Sequence, residues 1–223
     1  KTVERFPKND ALICSHQNYR ATYLEFYEQT SQVAKAILHL GAKPGDRVGI
    51  WSPNRYEWVL LQYATAKIGV ILVNINPAYR TSELIFVLNQ SQIKYIFASL
   101  SFKTSNYKKM VDDAREFTST LVDEVFFDEN WDDFLKGAAH ISDEELQNYE
   151  SQIQFDDPVN IQYTSGTTGF PKGVTLSHHN ILNNGYFIGI RLHYTEKDRV
   201  CIPVPFYHCF GMVIGNLCCT AHG

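Results

Sequence analysis

The stretch Tyr163 to Val174 reads YTSGTTGFPKGV. Four hydroxyl side chains, Thr164, Ser165, Thr167 and Thr168, fall within five positions. Gly166, Gly169 and Gly173 let the backbone turn tightly and come close to a ligand. Successive free N–H groups in such a turn form a concave nest for anions. Lys172, reached through Phe170 and Pro171, adds one mobile positive charge. Neutral donors that wrap oxygens, plus one cation to offset their charge, suit a polyphosphate. The flanks decide what the loop joins. Val159 to Tyr163 and Gly173 to Leu176 both read as strands, so residues 164–172 connect strand to strand. A Walker A loop instead ends in Gly-Lys followed by Ser or Thr and opens a helix. Here Lys172 lies between Pro171 and Gly173.

Upstream, helices and strands alternate. Thr22 and Glu25 have capping-box spacing, with Leu24, Tyr27, Ala34, Ile37, Leu38 and Leu40 at helical spacing and Gly41 as the stop. Arg47 to Trp51 reads as a strand, and Asn54 with Glu57 as the cap of a helix carrying Trp58, Leu61, Thr65 and Ile68. Val70 to Val73 and Lys94 to Ala98 are the continuous apolar runs of strands buried on both faces. Thr81 to Leu88 is helical, as is Phe102 to Phe117. Leu121 to Phe127 reads as a strand, and Asn130 to Leu135 and Ser142 to Tyr149 as short helices, the latter with a Ser142/Glu145 box. Downstream, Ser177 to Arg191 is a helix, Val200 to Val204 a strand and Pro205 to Phe210 a loop. This alternation predicts an α/β fold with parallel-rich sheets flanked by helices.

Composition narrows the function classes. With 44% apolar and 20% charged residues, the 223-residue chain is long enough and apolar enough for a proper core. Its net charge of −4 gives no electrostatic footprint for nucleic acid or an anionic membrane. The uncharged stretch from Val200 to Gly223 contains Pro203, Pro205, Gly211, Gly215 and Asn216, which argue against a transmembrane segment. Five cysteines without C-x-x-C spacing make neither a disulfide framework nor a zinc ribbon, and read as reduced thiols of an intracellular protein. Cys209 beside His208 is better read as a small buried thiol than as a metal ligand.

The string YTSGTTGFPKGV closely resembles the phosphate-binding signature of the adenylate-forming superfamily, which includes acyl-CoA synthetases, firefly-type luciferases and peptide adenylation domains. The likeness extends to VGIWSPN after Asp46-Arg47, to VNINPAY from Val73 to Tyr79 and to SHHNIL from Ser177 to Leu182. It is weakest between Ser101 and Ser151. A second string, PVPFYHCFG from Pro203 to Gly211, fits the Pro-x-x-His-x-x-Gly form of acyl-CoA synthetases and luciferases at Pro205, His208 and Gly211. Adenylation domains for amino acids usually carry an Asp in this loop, and no Asp lies between Arg199 and Gly223. The text is most similar to fatty acyl-CoA ligases of the medium-chain branch and their bacterial relatives.

The resemblance implies the large N-terminal domain of the adenylate-forming fold, and ATP, Mg2+ and coenzyme A as cofactor and co-substrates beside a fatty acid or related carboxylate. It implies phosphate binding by Thr164, Ser165, Gly166, Thr167, Thr168, Gly169, Phe170, Pro171 and Lys172, with Thr164 near the magnesium. It places Phe206, Tyr207, His208, Phe210 and Gly211 along the acyl substrate. The family's Tyr-Gly-x-Thr-Glu motif, ribose-binding Asp, hinge and catalytic Lys are not in these 223 residues, so the chain is expected to be an N-terminal fragment, inactive alone. The compartment expected is the cytoplasm in a bacterium or the mitochondrial matrix in a eukaryote. The alternative is a stand-alone nucleotide-binding or interaction module; a luciferase-like oxygenase is a further rival. Sequence beyond Gly223 discriminates the ligase from the module.

Overall fold

The computed structural model describes residues 1–164 and 171–223. A short helix α1 (Thr2–Arg5) precedes a hairpin of β1 (Asp10–Cys14) and β2 (Tyr19–Thr22), none of which the sequence pattern announced. Thr22 then caps α2 (Tyr23–His39): its hydroxyl accepts from the Glu25 N–H while the Glu25 carboxylate accepts from the Thr22 N–H. The buried residues of α2 are Tyr23, Phe26, Thr30, Val33, Ala34, Ala36, Ile37 and Leu38. Leu24 and Tyr27, expected among them, are 45% and 44% exposed. Gly41 ends the turn at φ 95°, a left-handed conformation that a side chain would strain.

The central units are β3 (Arg47–Trp51), α3 (Tyr56–Lys67), β4 (Ile71–Asn74), α4 (Thr81–Gln90) and β5 (Ile93–Ala98). A small hairpin, β6 (Ser101–Phe102) and β7 (Ser105–Asn106), leads into α5 (Tyr107–Arg115). The helix expected from Phe102 therefore begins five residues later, where Asn106 caps it through the Lys109 N–H. Next come β8 (Asp123–Phe126), α6 (Trp131–Lys136) and α7 (Asp143–Gln152). Ser142 caps α7 by accepting from the Glu145 N–H. Then follow β9 (Pro158–Thr164), β10 (Lys172–Ser177) and α8 (His178–Arg191). A π-helical turn over Phe210–Leu217 runs into α9 (Cys218–His222).

Six strands form one sheet in the order β10-β9-β4-β3-β5-β8. β9, β4, β3, β5 and β8 are mutually parallel, and β10 closes the edge antiparallel to β9. Alternate residues feed opposite faces. Val48, Ile50, Leu72, Phe97 and Val125 pack with α2, α3 and α6. Trp51, Val73, Ile96, Ala98 and Phe126 pack with α4 and α5. Burial on both faces explains why these strands read as unbroken apolar runs.

Two expectations fail here. Val200–Val204 forms no strand; among the described residues it has no strand partner, and Pro203 and Pro205 carry no N–H to give to a ladder. Asn54 does not cap α3. That position falls to Arg55, without a side-chain cap bond, and Arg55 is clamped instead between Glu57 (2.7 Å) and Asp128 (3.0 Å). Among the described residues, no helix is long and apolar enough to cross a membrane.

Candidate functional site

In open α/β sheets ligands gather beyond the carboxyl ends of the parallel strands. At that edge β4 ends in Asn74 and β9 in Thr164. Thr164 pairs across the hairpin with Lys172, and its Oγ1 donates to the Lys172 carbonyl at 3.5 Å. The two ends of the hydroxyl-rich loop are therefore held side by side. Ser165, Gly166, Thr167, Thr168, Gly169 and Phe170 lie outside the described residues. Pro171 is half-buried, Lys172 exposed, and among the described residues Lys172 makes no ion pair. At Gly173 an added Cβ would stand 3.2 Å from Ile161 Cγ2 and 3.4 Å from the Tyr163 ring. Small size thus lets the outgoing strand lie against Tyr163, whose hydroxyl is hydrogen bonded to Ser91 at 2.7 Å.

The second limb is Pro205 to Gly211. Asn74 Nδ2 donates to the carbonyls of Phe206 (3.4 Å) and Tyr207 (3.3 Å). Asn74 is itself aligned by Asn160, whose Nδ2 donates to Asn74 Oδ1 (3.0 Å) and to the Leu72 carbonyl (2.8 Å). Asn54 reaches the same limb from the turn after β3. Gln62 donates to the Met212 carbonyl at 3.3 Å, just beyond Gly211. Burial raises the Tyr79 phenol above its ordinary value, and Glu83, Tyr163 and Tyr207 push it the same way.

The aromatic residues of this limb divide. Phe206 is buried with its ring 5.4 Å from Trp58 and belongs to the core. Tyr207 is half-buried, while His208 and Phe210 are exposed, Phe210 by 52%. His208 Nδ1 accepts from the Phe210 N–H at 3.1 Å. With Nδ1 so used, the neutral ring carries its proton on Nε2, which makes that nitrogen a donor. Gly211 explains the spacing of the motif. A Cβ there would lie 2.4 Å from the Pro205 carbonyl oxygen and 3.0 Å from Phe206 Cα, so a side chain enters only if the two backbones move apart.

Among the described residues, no group of three or more His, Cys, Asp or Glu side chains could hold a metal ion. All five cysteines are free thiols, and burial alone pushes Cys209 above its ordinary value. Thr164 offers a single neutral hydroxyl and no carboxylate cage. Sequence reasoning missed Asn54, Asn74 and Asn160, which hold the Pro205–Gly211 limb. The available signal was an amide, Asn74, at the end of the buried run Ile71-Leu72-Val73.

A family model for AMP-binding enzymes matches residues 1–223. The chain is 40% identical over 252 residues to the mitochondrial medium-chain acyl-CoA ligase ACSF2 of Danio rerio, covering all of this chain and 40% of that one. It therefore spans well under half the length of that curated relative. The fold is similar to a long-chain-fatty-acid-CoA ligase (FadD1) from Archaeoglobus fulgidus, with TM-score 0.84 and 23% identity over 99% of this chain and 44% of that one. It is also similar to the N-terminal domain of FACL13 from Mycobacterium tuberculosis, with TM-score 0.79 and 25% identity over 98% and 53% of the two chains.

Proposed function

The chain belongs to the AMP-binding enzyme family, and on that premise we propose that it is part of the large N-terminal domain of an ATP-dependent fatty acid–CoA ligase. The observation that carries this reading is the pairing of two limbs on one sheet edge. One is the hydroxyl-rich loop whose ends, Thr164 and Lys172, face each other across β9 and β10. The other is the Pro205–Gly211 limb, stitched to β4 by Asn74.

In the reaction, a fatty carboxylate oxygen attacks the α-phosphorus of ATP. The bond to the bridging oxygen of pyrophosphate breaks, and acyl-adenylate remains. The thiol sulfur of coenzyme A then attacks the acyl carbon, AMP leaves, and the thiol proton is lost. The first step brings two anions together, so charge at the phosphates must be offset. Lys172 is exposed and without an ion pair among the described residues, so its ammonium is available for that work. The carboxylate is already ionised near neutral pH and needs no general base. His208 therefore acts by orientation: Nε2–H donates to the carboxylate, while Tyr207 and Phe210 offer apolar surface to the chain beyond it. Phe206 supports this wall from the core. The absence of Asp from residues 200–223 favours a plain carboxylate over an amino acid.

Likeness to ACSF2 supports an acyl chain of medium length, and the ligase reading favours the mitochondrial matrix in a eukaryotic host or the cytoplasm in a bacterial one. The test is ATP–pyrophosphate exchange by the full-length protein with a panel of carboxylates of graded length. Exchange should depend on a fatty acid, and CoA should release AMP. Lys172→Ala should slow exchange more than it weakens fatty-acid binding. Full-length protein that binds ATP but exchanges no pyrophosphate with any carboxylate would leave only a nucleotide-binding module.

A further inference from the structure

Asn54, a residue type that favours helix caps, follows Pro53 in the turn after β3 and lies one residue short of the cap position of α3. Its amide does something else. Nδ2 donates to the Val204 carbonyl at 2.9 Å, and Oδ1 accepts from the Phe206 N–H at 2.8 Å. One donor and one acceptor, directed at the residues on either side of Pro205, are what a neighbouring strand would offer. The segment before His208 has no strand neighbour among the described residues, and this one side chain stands in for it. The amide is presented from a fixed turn: Ser52 Oγ bonds to Ser99 Oγ at 2.7 Å, and the Arg55 guanidinium is held by Glu57 and Asp128. The consequence passes on to the imidazole. The Pro205 carbonyl accepts from the His208 N–H at 3.3 Å, so Pro205, between the two Asn54 bonds, sets the start of the turn carrying His208. The bonds from Asn74 to the same limb are longer, at 3.3–3.4 Å.

We propose that Asn54 is a positioning residue for carboxylate recognition: it fixes the height and angle of His208 without touching substrate. This rests on the ligase reading of His208. A misplacement of about 1 Å at a reacting group can cost on the order of a hundredfold. Here the loss should fall on the carboxylate and spare the nucleotide, because Asn54 holds one limb and not the other.

The experiment uses the full-length protein as wild type, Asn54→Ala and Asn54→Asp. Asp keeps the acceptor for the Phe206 N–H and loses the donor to Val204, so it is the partial rescue. ATP–pyrophosphate exchange should show KM for the fatty acid raised about tenfold or more in Asn54→Ala. KM for ATP should change less than about twofold, and Asn54→Asp should fall between the two. Hydrogen exchange should quicken in peptides covering 204–210 and stay unchanged in β3 and β5. Unchanged exchange at 204–210 would overturn the latch. Faster exchange throughout, with both KM values raised alike, would make Asn54 a plain stability residue and equally overturn the proposal. Wild-type protein inert toward every carboxylate would sink the ligase reading and its substrate half, while exchange at 204–210 would still decide whether the latch exists.

Discussion

Gly211→Ala is the sharpest probe of how the His208 limb is held. An alanine Cβ would sit 2.4 Å from the Pro205 carbonyl oxygen, 2.7 Å from its carbon and 3.0 Å from Phe206 Cα. Ordinary contacts begin near 3.4 Å, so the two backbones must part by about 1 Å. No flexible side chain can give way, because every atom named is main chain. Two effects oppose each other. Alanine favours helical backbone over glycine by about 1 kcal/mol, whereas forcing atoms into a packed site costs about 1–3 kcal/mol. The net loss of stability should therefore be small, from near zero to about 2 kcal/mol. The effect on reactivity should be far larger, since parting Pro205 from Gly211 shifts His208 between them, and about 1 Å is worth on the order of a hundredfold. ATP–pyrophosphate exchange with fatty acid and a denaturation curve, on the same full-length protein, separate the two quantities. Undiminished exchange in a variant as stable as wild type, or more so, would refute the close-approach reasoning.

Other expectations concern single, separable groups. In adenylation efficiency His208→Phe should exceed His208→Ala, because it keeps the ring surface and loses only the donor; equal losses accompanied by disappearance of a titration near the imidazole pKa would show acid–base action instead. Thr22→Ala removes the hydroxyl that accepts from the Glu25 N–H, leaving the Thr22 N–H on the Glu25 carboxylate, and should cost about 1 kcal/mol in urea unfolding, with fatty-acid KM unchanged. His178 is half-buried with Nε2 unpartnered among the described residues, and burial pushes its pKa below the ordinary value against the pull of Asp157. The unfolded chain then takes up the proton first, so stability should hold above about pH 6.5 and fall as pH drops below it. His178→Gln should flatten that fall, as read by denaturation midpoints between about pH 7.5 and pH 5.

The sequence pattern was most legible where one physical rule acts alone. Parallel strands buried on both faces must be apolar throughout, and Val70–Val73 and Lys94–Ala98 were found for that reason. Thr22 was found because its partner, Glu25, is three residues away. Failures arose where the partner is remote. Asn54 has a local reading as a cap, and nothing nearby reveals bonds to residues 150 and 152 positions on. Leu24 and Tyr27 fit a helical period as well as Phe26 and Val33 do, and only the placement of α2 on the sheet chose between them. Residues 200–204 have strand composition, but a strand also needs a partner, which composition cannot supply. Thr164 and Lys172 were legible as the ends of a loop and are paired in the structure; residues 165–170 lie outside what it describes.

The placement of the buried amides bears on why the two limbs sit together. Asn74, Asn160 and Gln162 are 1%, 2% and 6% exposed, on the sheet face that also packs Met212. Leu72, paired with Asn160, and Asn74, paired with Gln162, share that face. A buried amide left unpartnered costs about 1–3 kcal/mol, whereas apolar residues of similar shape would cost little. Stability alone thus gives no reason to place three amides in this core. What they add is direction. An apolar contact between β4 and residues 206–212 would tolerate sliding, but a carbonyl must meet a donor at hydrogen-bond distance. Asn74 reads the Phe206 and Tyr207 carbonyls in this way, and Gln162 meets Met212 two residues before β9 delivers Thr164. The same two strands therefore register the Pro205–Gly211 limb and carry the Thr164 end of the hydroxyl-rich loop. Any change that alters the pairing of β4 with β9 should disturb both halves of the proposed adenylation step, whereas a change at Asn54 or Gly211 should disturb only the carboxylate half.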